Sequence, residues 1–193
     1  QSMLNSYGDD ANFMLDLLGV GRDIPNLFDL DSLQQYLVNP SAQVRMEGLL
    51  TLGVQYPMAA KEAAQPFLQD SEGANRRVAV EVLSKIKPDG LDILRAYIDS
   101  AEFPKLDVDE QISVFRFMGR SNDKDVLFWF SELLEQKSGF FTRRVNQYKE
   151  LAIQGLQSSS EALAHRLLKK SLEEGKHSKE VKRMLEKAVQ TWA

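Results

Sequence analysis

The ten residues Val44–Gly53, VRMEGLLTLG, decide the fold of this 193-residue chain. Gly48, Thr51 and Leu52 are small or apolar, and their spacing puts them on one face of an α-helix. The same pattern, with a small or apolar residue at relative positions zero, three and four, returns four times. We call these fifteen positions the seam residues; the copies are Ala79, Val82, Leu83; Val114, Phe117, Met118; Ala152, Gly155, Leu156; and Leu185, Ala188, Val189.

The spacing of the copies predicts a row of helix pairs. Position zero falls at residues 48, 79, 114, 152 and 185, which are 31, 35, 38 and 33 residues apart. Periods of about 30–50 residues are typical of solenoids, because a single helix pair cannot bury its apolar face and has to pack on a neighbour. Small residues at positions zero and three let two helix backbones approach closely.

The segments VRMEGLLTLG and RRVAVEVLSKI resemble the second helix of HEAT repeats, whose pattern is roughly Val-Arg-x-x-Ala-x-x-Ala-Leu-Gly. The preceding turns, Asn39-Pro40-Ser41 and Asp70-Ser71-Glu72-Gly73, resemble HEAT turns, while ISVFRFMGRSND, LAIQGLQSSSEA and VKRMLEKAVQ are weaker copies. The resemblance implies an all-α fold: a right-handed α-α superhelix of HEAT-like or armadillo type, with five helix pairs over residues 31–193. HEAT-like folds serve many unrelated roles, so the resemblance alone implies no particular activity.

Capping and turn residues predict the helix bounds. An N-terminal capping helix and connector occupy residues 4–30; this helix begins at Asp9 or Asp10 and is stopped near Val20 by Gly19 and Gly21, with Phe13, Leu17 and Leu18 on one face. The five pairs are predicted over 31–38 and 42–55, 59–68 and 74–86, 91–100 and 108–120, 123–136 and 143–157, and 160–174 and 178–192. Predicted N-caps are Asp31, Ser159 or Ser160, and Ser178. No segment alternates with period two, so we expect little or no strand.

Residues 1–3 are treated as a tag remnant, because Gln1-Ser2-Met3 resembles the product of tobacco-etch-virus protease cleavage. The chain has no cysteine, which excludes disulfides and thiolate sites and leads us to expect a cytoplasmic protein. No apolar run approaches the ~18 residues of a membrane span, so no membrane partner is expected.

Charge is distributed unevenly along the chain. Residues 1–100 carry a net charge of −6 and residues 101–193 carry +2. One interpretation is an ordinary solvated surface. The other is an electrostatic gradient that orients an acidic partner towards the C-terminal end.

A helical-wheel argument predicts the binding face. At about 100° per residue, positions minus two and plus two of each second helix point away from the seam. In HEAT-like solenoids this side resembles the concave wall, which would start apolar here, end basic, and bind a partner peptide or helix. The predicted wall residues are Met46, Leu50, Arg77, Glu81, Ile112, Arg116, Glu150, Gln154, Arg183 and Lys187.

Two further features each allow two interpretations. The first is a loop that departs from the repeat spacing and contains Phe140, Phe141, Arg143 and Arg144. Its functional interpretation is a site that stacks on nucleic acid or forms a protein hot spot, and its structural interpretation is a hydrophobic staple on a helix.

The second is a row of residues at position minus three. It is either a stripe that binds phosphates or carboxylates or a structural ladder that bridges each repeat to the next. The row is Arg45, Arg76, Gln111, Lys149 and Lys182, and the candidate acceptors are Asp70, Asp107 and Asp123.

Motifs for catalysis are absent from the sequence. His165 and His177 are not spaced as a ligand pair and neither begins the His-Glu dipeptide of HEAT-like di-iron hydroxylases; no phosphate-binding glycine loop or Gly-x-Ser-x-Gly occurs. We therefore expect a non-enzymatic scaffold for a protein or peptide partner, without a cofactor or metal.

The alternative is a HEAT-like enzyme or nucleic-acid binder, since DNA alkylpurine glycosylases and phycobilin lyases are solenoids of this general type. A glycosylase would need a continuous basic groove with aromatic residues. The pI near 5.3 and the interleaved Glu81 and Glu150 argue against nucleic acid. The lyase interpretation has no discriminating motif.

Overall fold

The computed structural model describes residues 11–137 and 142–192, and this part of the chain contains helices, turns and loops but no strand. The all-α prediction is therefore confirmed. The helices are α1 Ala11–Asp23, α2 Leu30–Tyr36, α3 Ala42–Gln55, α4 Pro57–Phe67, α5 Gly73–Lys85, α6 Asp89–Asp99, α7 Val108–Arg120, α8 Lys124–Glu135, α9 Thr142–Ser158, α10 Ala162–Glu174 and α11 Lys179–Gln190, with a 3₁₀ turn at Phe103–Lys105.

The chain forms two compact units, one extending to Tyr97 and the other starting at Ile98, so the boundary falls within α6. In the first unit, α3 contacts α1, α2, α4 and α5. In the second unit, α9 contacts α7, α8, α10 and α11. Within each unit, the second helices of consecutive predicted pairs pack on one another: α3 on α5, α7 on α9, and α9 on α11.

The seam residues form the packing surface of these second helices. Thirteen of the fifteen are buried, which fits their predicted role in covering one helix with the next. Phe117 and Val189 are only half-buried, contrary to the prediction. Phe117 lies in the last turn of α7, where the guanidinium of Arg120 covers its ring at 5.6 Å from the centroid. The side chain thus packs locally instead of entering the core.

Glycine allows two helix backbones of the second unit to approach each other closely. Gly119 of α7 lies so near Gly155 of α9 that a Cβ at residue 119 would be 3.2 Å from the Gly155 Cα and would collide with its carbonyl group. A Cβ at Gly155 would in turn collide with the ring of Phe130 on α8. These two glycines allow three helices to converge at one point of the second unit's core.

Several helix starts follow from hydrogen-bonding caps. The hydroxyls of Ser41 and Ser178 accept the Val44 and Val181 amides, as N-cap side chains should. As a result α3 has the predicted bounds, and α11 starts within one residue of its predicted position.

Two predicted caps are wrong. The N-cap of α2 is Asp29, which accepts the Ser32 amide at 2.7 Å, and Asp31 lies inside the first turn. The N-cap of α10 is Glu161. Ser159 instead donates to the Asn122 amide oxygen at 2.7 Å.

The glycines of α1 do not stop the helix, which continues to Asp23. Gly21 is buried, and a Cβ there would collide with the ring of Phe28. Its small size therefore serves packing within the helix. The predicted apolar face is also shifted: Leu18 is buried, whereas Phe13 is 38 % exposed.

Candidate functional site

The second unit contains a cleft of about 450 Å³ on its three second helices, α7, α9 and α11. Its size is within the roughly 300–1,000 Å³ range of small-ligand and side-chain pockets. The apolar lining consists of Val108, Ile112, Leu151 and Met184. The polar lining consists of Gln111, Arg143, Asn146, Gln147, Glu150, Gln154 and Glu180.

Of the predicted wall residues, Ile112, Glu150 and Gln154 are brought together in this cleft. Arg116 lies beside it, where its guanidinium donates to the Gln154 amide oxygen at 2.7 Å. Arg183 and Lys187 are exposed on α11 but do not line the cleft. Arg183 and Lys187, the basic end of the predicted wall, therefore lie outside the cleft.

The other predicted wall residues belong to the first unit. Met46 and Leu50 are half-buried on α3. On α5, Arg77 is exposed, and Glu81 forms an ion pair with Lys85 at 2.7 Å. Since i,i+4 pairs of this kind stabilise a helix surface, Glu81 has a local structural role.

Hydrogen bonds between side chains fix the polar wall of the cleft. The Gln111 amide donates to the Leu106 carbonyl at 2.9 Å, and the Gln147 amide donates to the Gln111 oxygen at 2.7 Å. The Gln147–Gln111 and Arg116–Gln154 pairs join α7 to α9 along the cleft, and the Gln111–Leu106 bond fixes the Gln111 side chain. A wall whose side chains are already held in place loses little conformational entropy when a partner binds.

Two carboxylates, of Glu150 and Glu180, line the cleft together with one guanidinium, of Arg143. Burial raises the pKa of Glu150, and the nearby carboxylate of Glu180 raises it further. Within the described ranges, 11–137 and 142–192, neither carboxylate has a hydrogen-bond donor or an ion-pair partner. The cleft therefore contains a partly buried negative charge beside an apolar surface.

Six cleft residues belong to none of the predicted sets: Val108, Asn146, Gln147, Leu151, Glu180 and Met184. Most of them lie five or six residues before position zero of their helix, one helical turn before the predicted position minus two. At about 100° per residue, these positions lie on the same outward face as position minus two. The wheel used two positions per helix and so covered only one turn of a site that spans two. Extending it by a turn would have included Val108, Asn146 and Glu180.

The predicted loop site is described only in part. Phe140 and Phe141 lie outside the described residues. Arg143 lines the cleft, whereas the Arg144 guanidinium lies 5.6 Å from the centroid of the Tyr148 ring. Arg144 and Tyr148 also line a smaller depression of about 270 Å³ beside Asp99. The two arginines are consecutive in sequence but contribute to different surfaces.

The row at position minus three contains structural contacts between repeats. The Arg45 guanidinium donates to the Asn39 and Pro40 carbonyls at 3.0 Å and to the Asp70 carboxylate of the next predicted repeat at 3.3 Å. Arg76 repeats the first part of this arrangement, donating to the Asp70 and Ser71 carbonyls at 2.7 and 3.0 Å. The Arg45–Asp70 contact favours the ladder interpretation for Arg45, whereas these Arg76 contacts hold the turn before its own helix.

Of the predicted acceptors, Asp70 forms an ion pair with a row residue, Arg45, at 3.3 Å. Although burial alone raises its pKa, the hydrogen bond from the Glu72 amide and the Arg45 guanidinium lower the pKa of Asp70 below its ordinary value. Asp107 and Asp123 instead cap α7 and α8. Their carboxylates accept amides at the helix starts, as N-cap side chains do.

The last two residues of the row, Lys149 and Lys182, have different surroundings. Lys149 is fully buried, and its ammonium lies 3.5 Å from Nδ1 of His177, in the turn before α11. Lys182 is exposed on α11. Arg45, Gln111 and Lys149 therefore each contact the following predicted repeat, whereas Lys182 faces solvent.

Comparisons with protein-family models, with curated proteins and with solved structures find no match. Within residues 11–137 and 142–192 there is no group of three or more histidines and carboxylates placed to hold a metal ion. None of the helices in that part of the chain is both long enough and apolar enough to cross a membrane.

Proposed function

We propose that this chain is a HEAT-like repeat protein that acts as a non-enzymatic scaffold and holds a partner peptide or helix in the cleft on α7, α9 and α11. The observation that carries the proposal is the cleft itself, which lies on the outward face of second helices, where the repeat pattern predicts a binding wall.

The repeat assignment is supported by helix packing within each unit. Second helices pack on second helices through buried seam residues, and α8 packs on α10, so first helices also contact each other. A guanidinium at equivalent positions of α3 and α5 binds the turn before its own helix in the same way. Such repetition of local contacts is expected of a repeat protein.

The scaffold assignment is supported by the composition of the cleft. Four apolar side chains and several hydrogen-bonded side-chain amides line it. This combination is typical of surfaces that bind an apolar anchor within a polar rim. Its charged lining is two carboxylates and one guanidinium, which does not favour a phosphate backbone. The enzyme and nucleic-acid alternatives thus have less support than peptide binding.

Peptide selection with a cleft-blocking variant tests the proposal. A random dodecapeptide display library is panned on the immobilised chain, and enriched peptides are measured against Ile112→Trp, which fills the cleft without adding charge. We expect affinities to fall by about tenfold or more, since a blocked anchor pocket commonly costs more than about 1.4 kcal/mol.

Val38→Trp is the matched control, because Val38 is 82 % exposed and lies outside the cleft. Its affinities should equal those of the original chain, and the thermal unfolding of both variants should show that they fold. Enriched peptides that bind Ile112→Trp as tightly as Val38→Trp would refute the cleft as the binding site.

A further inference from the structure

Glu150 occupies a position that the fold itself does not explain. It is half-buried in the middle of α9, where the helix dipole provides no stabilisation, and the Glu180 carboxylate of α11 is close enough to repel it. Glu180, in contrast, lies in the first turn of α11, where a negative charge is favourable. The charge without a structural explanation is therefore that of Glu150, which lines the cleft from α9.

We propose that the cleft binds a lysine or arginine side chain of the partner peptide, with its cationic group between Glu150 and Glu180 and its aliphatic stem on the apolar floor. This inference rests on the proposed function and specifies the chemistry of the partner. The cleft lining of Ile112, Leu151 and Met184 supplies the apolar surface that such a stem needs. Lysine and arginine commonly bury their stems along apolar surfaces while their charged ends reach polar groups.

Charge complementarity decides between a basic and an acidic partner. Two carboxylates and the Arg143 guanidinium line the cleft, so its own side chains sum to a negative charge. Two cations of the predicted wall do not line the cleft: Arg116 lies beside it with its guanidinium bound to Gln154, and Arg183 is on the exposed surface of α11.

A bound cation would also remove a cost that the free chain carries. Burial and the neighbouring carboxylate both raise the pKa of Glu150, which means that the ionised form is disfavoured in the empty cleft. A cation beside Glu150 favours its ionised form. Carboxylates accept hydrogen bonds only, so they select a donor such as an ammonium or guanidinium group.

The test uses the dodecapeptides that bind the original chain but not Ile112→Trp. We expect these peptides to be enriched in lysine or arginine next to an apolar residue. Their affinities, measured by fluorescence anisotropy, should fall about tenfold or more in Glu150→Gln/Glu180→Gln, because charge-assisted contacts at a partly buried site are lost. They should also lose most of their dependence on salt concentration.

The control is Glu132→Gln/Glu186→Gln, which makes the same change in net charge at two exposed positions outside the cleft. Its affinities should match those of the original chain. Cleft-dependent peptides that lack a basic residue, or that bind both double variants equally well, would overturn this inference and leave the proposed function standing. Failure to select any peptide that depends on Ile112 would overturn both.

Discussion

At the scale of a single residue, Lys149 is buried although its side chain is charged, and its position in the predicted repeat accounts for this burial. It occupies the place held by arginines in the first two repeats, is fully buried, and burial lowers its pKa. Its ammonium lies 3.5 Å from His177 Nδ1, while Nε2 of that ring lies 2.9 Å from the Ser171 carbonyl oxygen. The arrangement fits a neutral imidazole that donates through Nε2 and accepts through Nδ1.

This arrangement predicts a pH dependence of stability. Burial lowers the pKa of His177; the hydrogen bond to Ser171 opposes this effect, and the Lys149 charge adds to it. The unfolded chain takes up this proton near the ordinary pKa of 6.5, and the folded chain does so only at lower pH. The His177 contribution to the free energy of unfolding is therefore complete above pH 6.5 and is lost as the pH falls towards the folded pKa.

Urea unfolding at pH 7.5 and at pH 5.5 measures this effect. The loss of stability at pH 5.5 should be smaller in His177→Gln than in the His165→Gln control. In Lys149→Met the His177 pKa, followed by NMR of the ring protons, should rise because a neighbouring positive charge is removed. An unchanged or lower His177 pKa in Lys149→Met would contradict the proposed contact.

Other residues show where sequence reasoning succeeds and where it cannot. Ser41 could be predicted as a cap because an N-cap depends on neighbours within three residues, and α3 begins where that rule places it. Gly21 looked like a helix stop because its partner, Phe28, becomes adjacent only after the chain folds back. A longer helical wheel would have included Glu180, but it could not have shown that the carboxylate of Glu180 acts on Glu150, thirty positions away in sequence.

At the scale of elements, the contact between α7 and α9 depends on the absence of side chains. A Cβ at Gly119 would meet the backbone of Gly155, which cannot move aside like the end of a flexible side chain. The spacing of small residues predicted that second helices pack closely. It did not predict that the backbones of α7 and α9 would meet closely at Gly119, which follows Met118, the last seam residue of α7.

Gly119→Ala should therefore destabilise the chain by about 1–3 kcal/mol, the usual cost of overpacking a core. The matched control is Gly19→Ala in α1, where an added Cβ would meet nothing nearer than the Arg22 side chain at 4.0 Å. That variant should be neutral or up to about 1 kcal/mol more stable, because alanine is the better helix former. Chemical denaturation of both variants gives the comparison, and equal stabilities would refute the close backbone contact.

At the scale of the whole molecule, sequence periodicity predicted more than local signals did. The five seam triplets gave the helix order, the second-helix packing within each unit and three of the cleft residues, because a repeated apolar face has few ways to be buried. The pattern did not predict the division at Tyr97 and Ile98. Nor did it locate the cleft within the second unit, which is lined by side chains of three helices that are far apart in sequence.

The central claim is that the cleft on α7, α9 and α11 is the surface that binds a peptide. Methyl NMR of the labelled chain, titrated with a selected dodecapeptide, tests this claim most directly. The account predicts that the methyl signals of Ile112 and Met184, on two of these helices, shift together and saturate at one peptide per chain, while the signal of Met58, which is 64 % exposed on α4, stays in place. A titration that shifts Met58 and leaves Ile112 and Met184 unchanged would contradict it.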